Sequence, residues 1–128
     1  TDTWQYRNPR PNNYTMSGAV TYHDKIYLFG GWDGVTNYFL TQVYDPATDT
    51  WTNKAPVPAP GGGMAVFLGA NNKIYIILSS AVFAEYDPEA DTWATRASYP
   101  IVGYAFSGAA AAKTPPRHSR SCAPRGAC

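Results

Sequence analysis

The chain repeats itself, and the period of the repeat limits its fold more than any other feature. Trp4, Trp51 and Trp93 each open a segment with a basic residue three positions on (Arg7, Lys54, Arg96) and a proline seven on (Pro11, Pro58, Pro100). One turn phrase precedes two of them, Tyr44-Asp45-Pro46-Ala47-Thr48-Asp49-Thr50-Trp51 and Tyr86-Asp87-Pro88-Glu89-Ala90-Asp91-Thr92-Trp93. Thr1-Asp2-Thr3-Trp4 is the end of a third copy. Spacings of 47 and 42 residues belong to supersecondary units that bury their apolar faces only against neighbouring copies.

Each unit divides into four strands. In the first, Ser17–Tyr22 alternates small, apolar and polar residues, His23-Asp24 is a tight turn, and Lys25–Phe29 is an apolar run ending at Gly30-Gly31. A short run bounded by turn signals reads as a strand buried on both faces. After a longer loop, Leu40–Tyr44 is the third strand. Asp45–Asp49 then forms a turn in which proline sets φ and the aspartates bond local backbone. Trp51 opens an outer strand that Pro56 and Pro58 end, since proline suits only an edge.

The second unit keeps the order: Met64–Leu68, a turn at Asn71-Asn72, Ile74–Leu78, Ala81–Tyr86, and a fourth strand from Trp93. Ser79-Ser80 replaces the glycine pair, and the loop to the third strand is seven residues shorter. A third unit begins, with Ser107-Gly108-Ala109-Ala110 echoing Ser17-Gly18-Ala19-Val20, and then stops. Pro115-Pro116 is incompatible with the central strand due there. Residues 113–128 read as a disordered basic tail.

That tail hides the charge balance of the repeats. It holds four of the ten basic residues, so the net +1 of the chain becomes −3 over the repeats, six basic against nine acidic. No nucleic-acid partner is implied. The longest apolar stretch, Tyr99–Ala112, is shorter than the roughly 20 residues of a spanning helix, so no membrane span is expected. Cys122 and Cys128 both lie in the tail, where a small disulfide loop is possible but free thiols are the simpler reading. His118 alone adds too few ligands for zinc.

The run Ile26-Tyr27-Leu28-Phe29-Gly30-Gly31, followed by Tyr44 seven residues before Trp51, resembles the kelch repeat. Ile74-Tyr75, Tyr86 and Trp93 carry the second copy, and the likeness covers about residues 1–112. The resemblance implies an all-β fold of kelch-type β-propeller blades, each of four antiparallel strands, in an incomplete, open propeller. Residues 1–11 would be the outer strand of a preceding blade, 12–58 blade one, 59–100 blade two, and 101–112 the inner strand of a third. Propellers typically have about four to eight blades, so the chain reads as a fragment whose partners include the remaining blades of a larger ring.

In such a blade the loop between strands two and three shares one end with the linker that enters strand one. Asn12, Asn13, Tyr14, Trp32, Asp33, Asn37, Tyr38 and Phe39 therefore fall on one face, with Gly61-Gly62-Gly63 beside them. Exposed aromatic and amide side chains suit a binding surface, and in proteins that this chain resembles the face often binds. Trp32 and Phe39 packing between blades is the competing reading. Asp45/Asp49 and Asp87/Asp91 recur at the same turn, so structural roles account for them better than calcium or acid–base chemistry. Trp51 and Trp93 read as inter-blade core with Tyr44 and Tyr86.

No nucleophile–base arrangement can be built on His23 and His118, and Gly61-Gly62-Gly63 lacks the following lysine of a phosphate loop. Asn13-Tyr14-Thr15 is a glycosylation acceptor if the protein is secreted by a eukaryote. The expected function is a binding module for a protein, or alternatively a carbohydrate, with no catalytic residue, metal or cofactor in the chain. The rival is part of a carbohydrate-active kelch-like enzyme, such as an oxidase or a sugar mutarotase. The turn phrasing resembles secreted arrays, which points to an extracellular setting over a cytoplasmic one.

Overall fold

A computed structural model describes residues 2–59, 65–78 and 82–97. Eight strands form two four-stranded antiparallel sheets in sequential order. The first sheet holds β1 (Gly18–Tyr22), β2 (Lys25–Phe29), β3 (Thr41–Asp45) and β4 (Thr50–Lys54). The second holds β5 (Ala65–Leu68), β6 (Ile74–Ile77), β7 (Phe83–Asp87) and β8 (Thr92–Thr95). The expected strands are matched to within a residue or two. The expected strand at 101–112, the tail at 113–128, both cysteines, His118, Ser79-Ser80 and Gly61-Gly62-Gly63 lie outside the described residues.

The turns follow from their residues. His23 and Asp24 sit at φ of 46° and 60°, the left-handed geometry that matches the twist of a two-residue hairpin. Asp45 Oδ1 accepts the Ala47 amide at 2.9 Å, and Asp87 Oδ1 accepts those of Glu89 and Ala90 at 3.0 and 3.2 Å. Lys25 pairs with Asp45 at 3.5 Å, and Lys73 pairs with Asp87 in the same place one sheet on.

The core lies between the sheets. Strand alternation puts Val20, Tyr22, Tyr27, Phe29 and Val43 on the face of the first sheet that meets the second. Val66, Leu68, Ile74, Ile76, Ala84, Tyr86 and Trp93 face them from the second. Phe29 meets Tyr86 and Trp93 edge to face at centroid distances of 5.8 and 5.6 Å, the arrangement that the ring quadrupoles favour. Phe29, Ile74, Ile76 and Tyr86 are fully buried.

A second device joins the units, and it occurs twice. Asp91 Oδ1 accepts its own unit's Tyr86 hydroxyl at 2.6 Å and the Ala55 amide at 2.9 Å. The Trp93 indole N–H donates to the Ala55 carbonyl at 3.0 Å. One period earlier Asp49 Oδ1 accepts the Tyr44 hydroxyl at 2.7 Å and the Asn8 amide at 2.9 Å, while Trp51 donates to the Asn8 carbonyl at 2.9 Å. Asn8 and Ala55 each stand four residues after a repeat tryptophan. The aspartate and tryptophan of one unit thus clasp both backbone groups of a single residue in the unit before.

Two sequence expectations change here. Residues 2–11, expected as an outer strand, form no ladder; they run as an arm held through Asn8 and Arg10, because a strand needs an edge to pair with. Trp4 and Tyr6 on this arm are fully exposed. Trp51, expected as inter-blade core, stacks on Tyr44 with centroids 5.0 Å apart but touches no member of the core cluster. Trp93 does join that cluster, because a whole sheet lies against it.

Candidate functional site

The β2–β3 loop and the linker entering β1 meet at one end of the first sheet. Gly30 N–H donates to the Leu40 carbonyl at 2.7 Å, closing the base of the loop. Trp32 bridges Thr15 on one side and Asn37 on the other, so loop and linker form a short ladder beyond the sheet. Gly31, at φ 143°, permits this: a Cβ there would lie 2.7 Å from the Tyr14 Cβ. The Tyr14 ring stacks on Tyr38 with centroids 4.3 Å apart.

Asp33 holds the loop tip. Its Oδ1 accepts the Val35 and Thr36 amides at 2.8 and 2.7 Å, and its Oδ2 accepts the Tyr38 hydroxyl at 2.8 Å. Those bonds lower the Asp33 carboxyl pKa and raise that of the Tyr38 phenol to about 12.

Beneath lies a polar network that the sequence reading did not single out. Gln42, 1% exposed, accepts from Arg10 Nε at 2.5 Å and donates to Asn12 Oδ1 at 3.2 Å and Asn53 Oδ1 at 3.1 Å. Arg10 also donates to Ser17 Oγ at 2.6 Å and to the Gly30 carbonyl at 3.0 Å, with the Tyr14 ring 5.4 Å away. Burial draws the Arg10 pKa below its ordinary value, with Tyr14 the opposing influence. Its position between Pro9 and Pro11, where the backbone is held stiff, is the sequence signal that marks it.

The seven nominated residues therefore divide. Tyr14, Trp32, Asp33, Asn37 and Tyr38 come together at the loop, Asn12 turns into the network under it, and Asn13 is exposed beside it. Of the polar groups, Asp33, Asn12 and the Tyr38 hydroxyl are occupied internally. Facing outward beside the exposed Asn13 and Asn37 are four apolar side chains: Met16, Trp32, Val35 and Phe39 are 38%, 36%, 89% and 43% exposed. Met16 and Val35 were not among the nominated residues, though an isolated valine in a polar loop is a usable signal.

At the opposite end a cleft of about 330 Å³ lies between the first sheet and the β7–β8 turn, with Lys25, Lys54, Asp45 and Glu89 on its walls. Its charges are mostly committed: Lys25 pairs with Asp45, and Glu89 accepts the Tyr22 hydroxyl at 2.6 Å, which raises the Tyr22 pKa to about 12. Among the described residues no group of three or more His, Cys, Asp or Glu is arranged to hold a metal ion. No helix among them is long and apolar enough to cross a membrane.

Residues 14–58 match the Kelch motif. Kelch-like protein 31 of Danio rerio is 33% identical over 64 residues, 48% of this chain and 10% of that protein. Beta-scruin of Limulus polyphemus is 32% identical over 77 residues, 58% of this chain and 8% of that protein. The chain thus spans about a tenth of the length of these curated relatives. The solved structure of YjhT superposes with a TM-score of 0.68 at 14% identity, covering 77% of this chain and 41% of that one. That likeness establishes the propeller fold alone.

Proposed function

Taking as premise that this chain is built of kelch repeats in an open propeller, we propose that the loop face of the first sheet binds a protein. The observation that carries this is the set Met16, Trp32, Val35 and Phe39, exposed together on a frame held by Arg10, Gln42 and the Tyr14–Tyr38 stack. Isolated surface apolar residues are ordinary, but a group on a pre-ordered loop marks an interaction site. Low ordering cost on binding favours affinity.

Sugars are held by outward polar groups around an aromatic ring. Here Asp33 and Asn12 are engaged by the loop and the network under it, while Asn13 and Asn37 stay exposed beside four apolar side chains, a balance that supports a protein partner over a glycan. The test is affinity capture by the full chain from its own source, compared with a Trp32→Ala, Val35→Ser, Phe39→Ser variant of unchanged circular dichroism. The reading expects at least one partner bound by the wild type and reduced tenfold or more by the variant. A glycan-array signal that survives this variant, or protein partners indifferent to it, would sink the proposal.

A further inference from the structure

The cleft at the turn end is internal to the two units. The first sheet supplies its floor and one wall, and the β7–β8 turn of the second unit supplies the other. The floor consists of two cross-strand rows. Tyr22, Lys25, Asp45 and Thr50 form the row next to the turns, and Tyr27, Val43 and Thr52 form the row behind it. Lys54 stands one step further along β4, and Pro88 and Glu89 close the cleft from above.

The walls are ordered in advance. His23 stacks on Tyr22 with centroids 4.1 Å apart, Tyr22 donates to Glu89 Oε1 at 2.6 Å, and Asp87 caps the turn that carries Pro88 and Glu89. Lys25 is paired with Asp45, and the Thr50 hydroxyl with that of Thr48 at 2.7 Å. Among the described residues, three donors of the cleft have no partner: the Tyr27 hydroxyl, the Thr52 hydroxyl and the Lys54 ammonium. Tyr27 is only 6% exposed, and burial raises its pKa, with the charges of Glu89 and Asp91 adding to the effect. Lys54 lies within electrostatic reach of Asp91, whose Oδ1 is taken up by Tyr86 and Ala55, and it pairs with no carboxylate among the described residues. Glu89 keeps its second oxygen for an incoming donor. A half-buried donor without an acceptor is a cost that a ligand can relieve.

The charges say which ligand. Two lysines and two carboxylates line the cleft, so its formal charge is zero. A lone anion beside Lys54 would meet the fields of Glu89 and Asp91, and a lone cation beside Glu89 would meet those of Lys25 and Lys54. A molecule carrying both signs meets neither penalty. The two rows of the floor lie two residues apart, about 7 Å along the strands, which is also roughly the reach of two residues of extended peptide.

We propose that this cleft binds a zwitterion the size of a dipeptide, its carboxylate on Lys54, Thr52 and Tyr27 and its ammonium on Glu89. The cleft volume of about 330 Å³ admits such a molecule. The site lies at the opposite end of the sheet from the loop face and does not depend on what that face binds.

Titration of the full isotope-labelled chain with glycylglycine at neutral pH, followed by amide NMR, tests this. Saturable shifts are expected at the amides of Thr52, Lys54 and Glu89, and acetate and ethylammonium should each bind at least tenfold more weakly. Lys54→Met removes the charge and keeps the stem, while Tyr27→Phe removes the hydroxyl and keeps the ring. Each should weaken glycylglycine at least fivefold with unchanged circular dichroism. The variant carrying Trp32→Ala, Val35→Ser and Phe39→Ser should bind it as the wild type does, which separates the failure of this inference from the failure of the loop-face reading. The assignment is overturned by an absence of saturable shifts, by acetate binding as well as glycylglycine, or by an affinity indifferent to both Lys54→Met and Tyr27→Phe.

Discussion

Trp51 and Trp93 occupy the same place in their repeats, and replacing each by alanine asks whether neighbours or motif decide the energy. Whole-tryptophan deletions in cores cost about 3–5 kcal/mol. Trp93 is half-buried but packs on Phe29 and Tyr86, both fully buried, and donates to Ala55. The lower end of that range applies, about 3 kcal/mol, of which roughly 1 kcal/mol is the hydrogen bond. Trp51 keeps one aromatic neighbour, Tyr44, and one bond to an exposed arm. An aromatic pair contributes about 0.5–1.5 kcal/mol and an exposed bond little, so the loss should be about 1–1.5 kcal/mol. Urea unfolding followed by far-ultraviolet circular dichroism, at a concentration where the chain is monomeric, reads the difference. With a slope of about 1–2 kcal/mol per molar, the two midpoints should lie about 1–2 M apart, Trp93→Ala being the lower. Equal shifts would refute the reasoning, for they would mean that the arm buries Trp51 as fully as a sheet buries Trp93.

Gly31→Ala should lower stability by about 2 kcal/mol, since left-handed strain at a non-glycine residue and a collision with Tyr14 coincide; thermal unfolding tests it. The Asp91 carboxyl lies below its ordinary pKa of 3.8: burial alone would raise it, but the Tyr86 hydroxyl and Ala55 amide more than offset that. Its contribution is therefore complete above about pH 4 and is lost as pH falls through the lower folded value. Asp91→Asn should flatten the stability profile below pH 4 in equilibrium unfolding at graded pH. At the alkaline end Tyr22 and Tyr38, both near 12, hold their protons more tightly folded than unfolded. Stability should thus decline from about pH 10 upward, and Tyr22→Phe with Tyr38→Phe should blunt the decline. Arg10→Met should speed amide exchange at Thr15 and Trp32 many-fold, while amides in β6 and β7 keep their protection.

The strands were legible because each depends on local signals. The alternation in β1, the apolar run of β2 and the aspartate–proline turns are properties of a few neighbouring residues. Gly30-Gly31 announced a close backbone approach, and the Tyr14 contact is that approach. Trp4–Pro11 carries the outer-strand phrase, but strand formation requires a partner edge, which the phrase cannot encode. Asp49 and Asp91 were read as turn residues; Asp45 and Asp87 cap the turns, while Asp49 and Asp91 reach into the preceding unit. At the loop face, residue type pointed to the right segment. It did not show that Asp33 and Asn12 serve the loop itself, leaving Met16, Trp32, Val35 and Phe39 to face outward.

The clasp also separates what may vary in length from what may not. Between the two units the main change in length falls in the β2–β3 connection, residues 31–39 in one and 79–81 in the other, six residues and not the seven expected from the sequence, because Gly30 corresponds to Leu78 and not to Ser79. Both connections are closed by the same backbone bond, Gly30 to Leu40 at 2.7 Å and Leu78 to Val82 at 2.9 Å. The clasp lies elsewhere, at the β3–β4 turn and the exit of β4 and their counterparts, and the first connection meets the inter-unit linker at its base, where the Phe39 carbonyl accepts the Val57 amide at 2.6 Å. Loop closure costs grow only with the logarithm of length, about 0.6 kcal/mol per doubling. The tip at Gly34-Val35 is therefore a port for foreign sequence: a grafted epitope or small domain placed there leaves the angular pitch from blade to blade untouched.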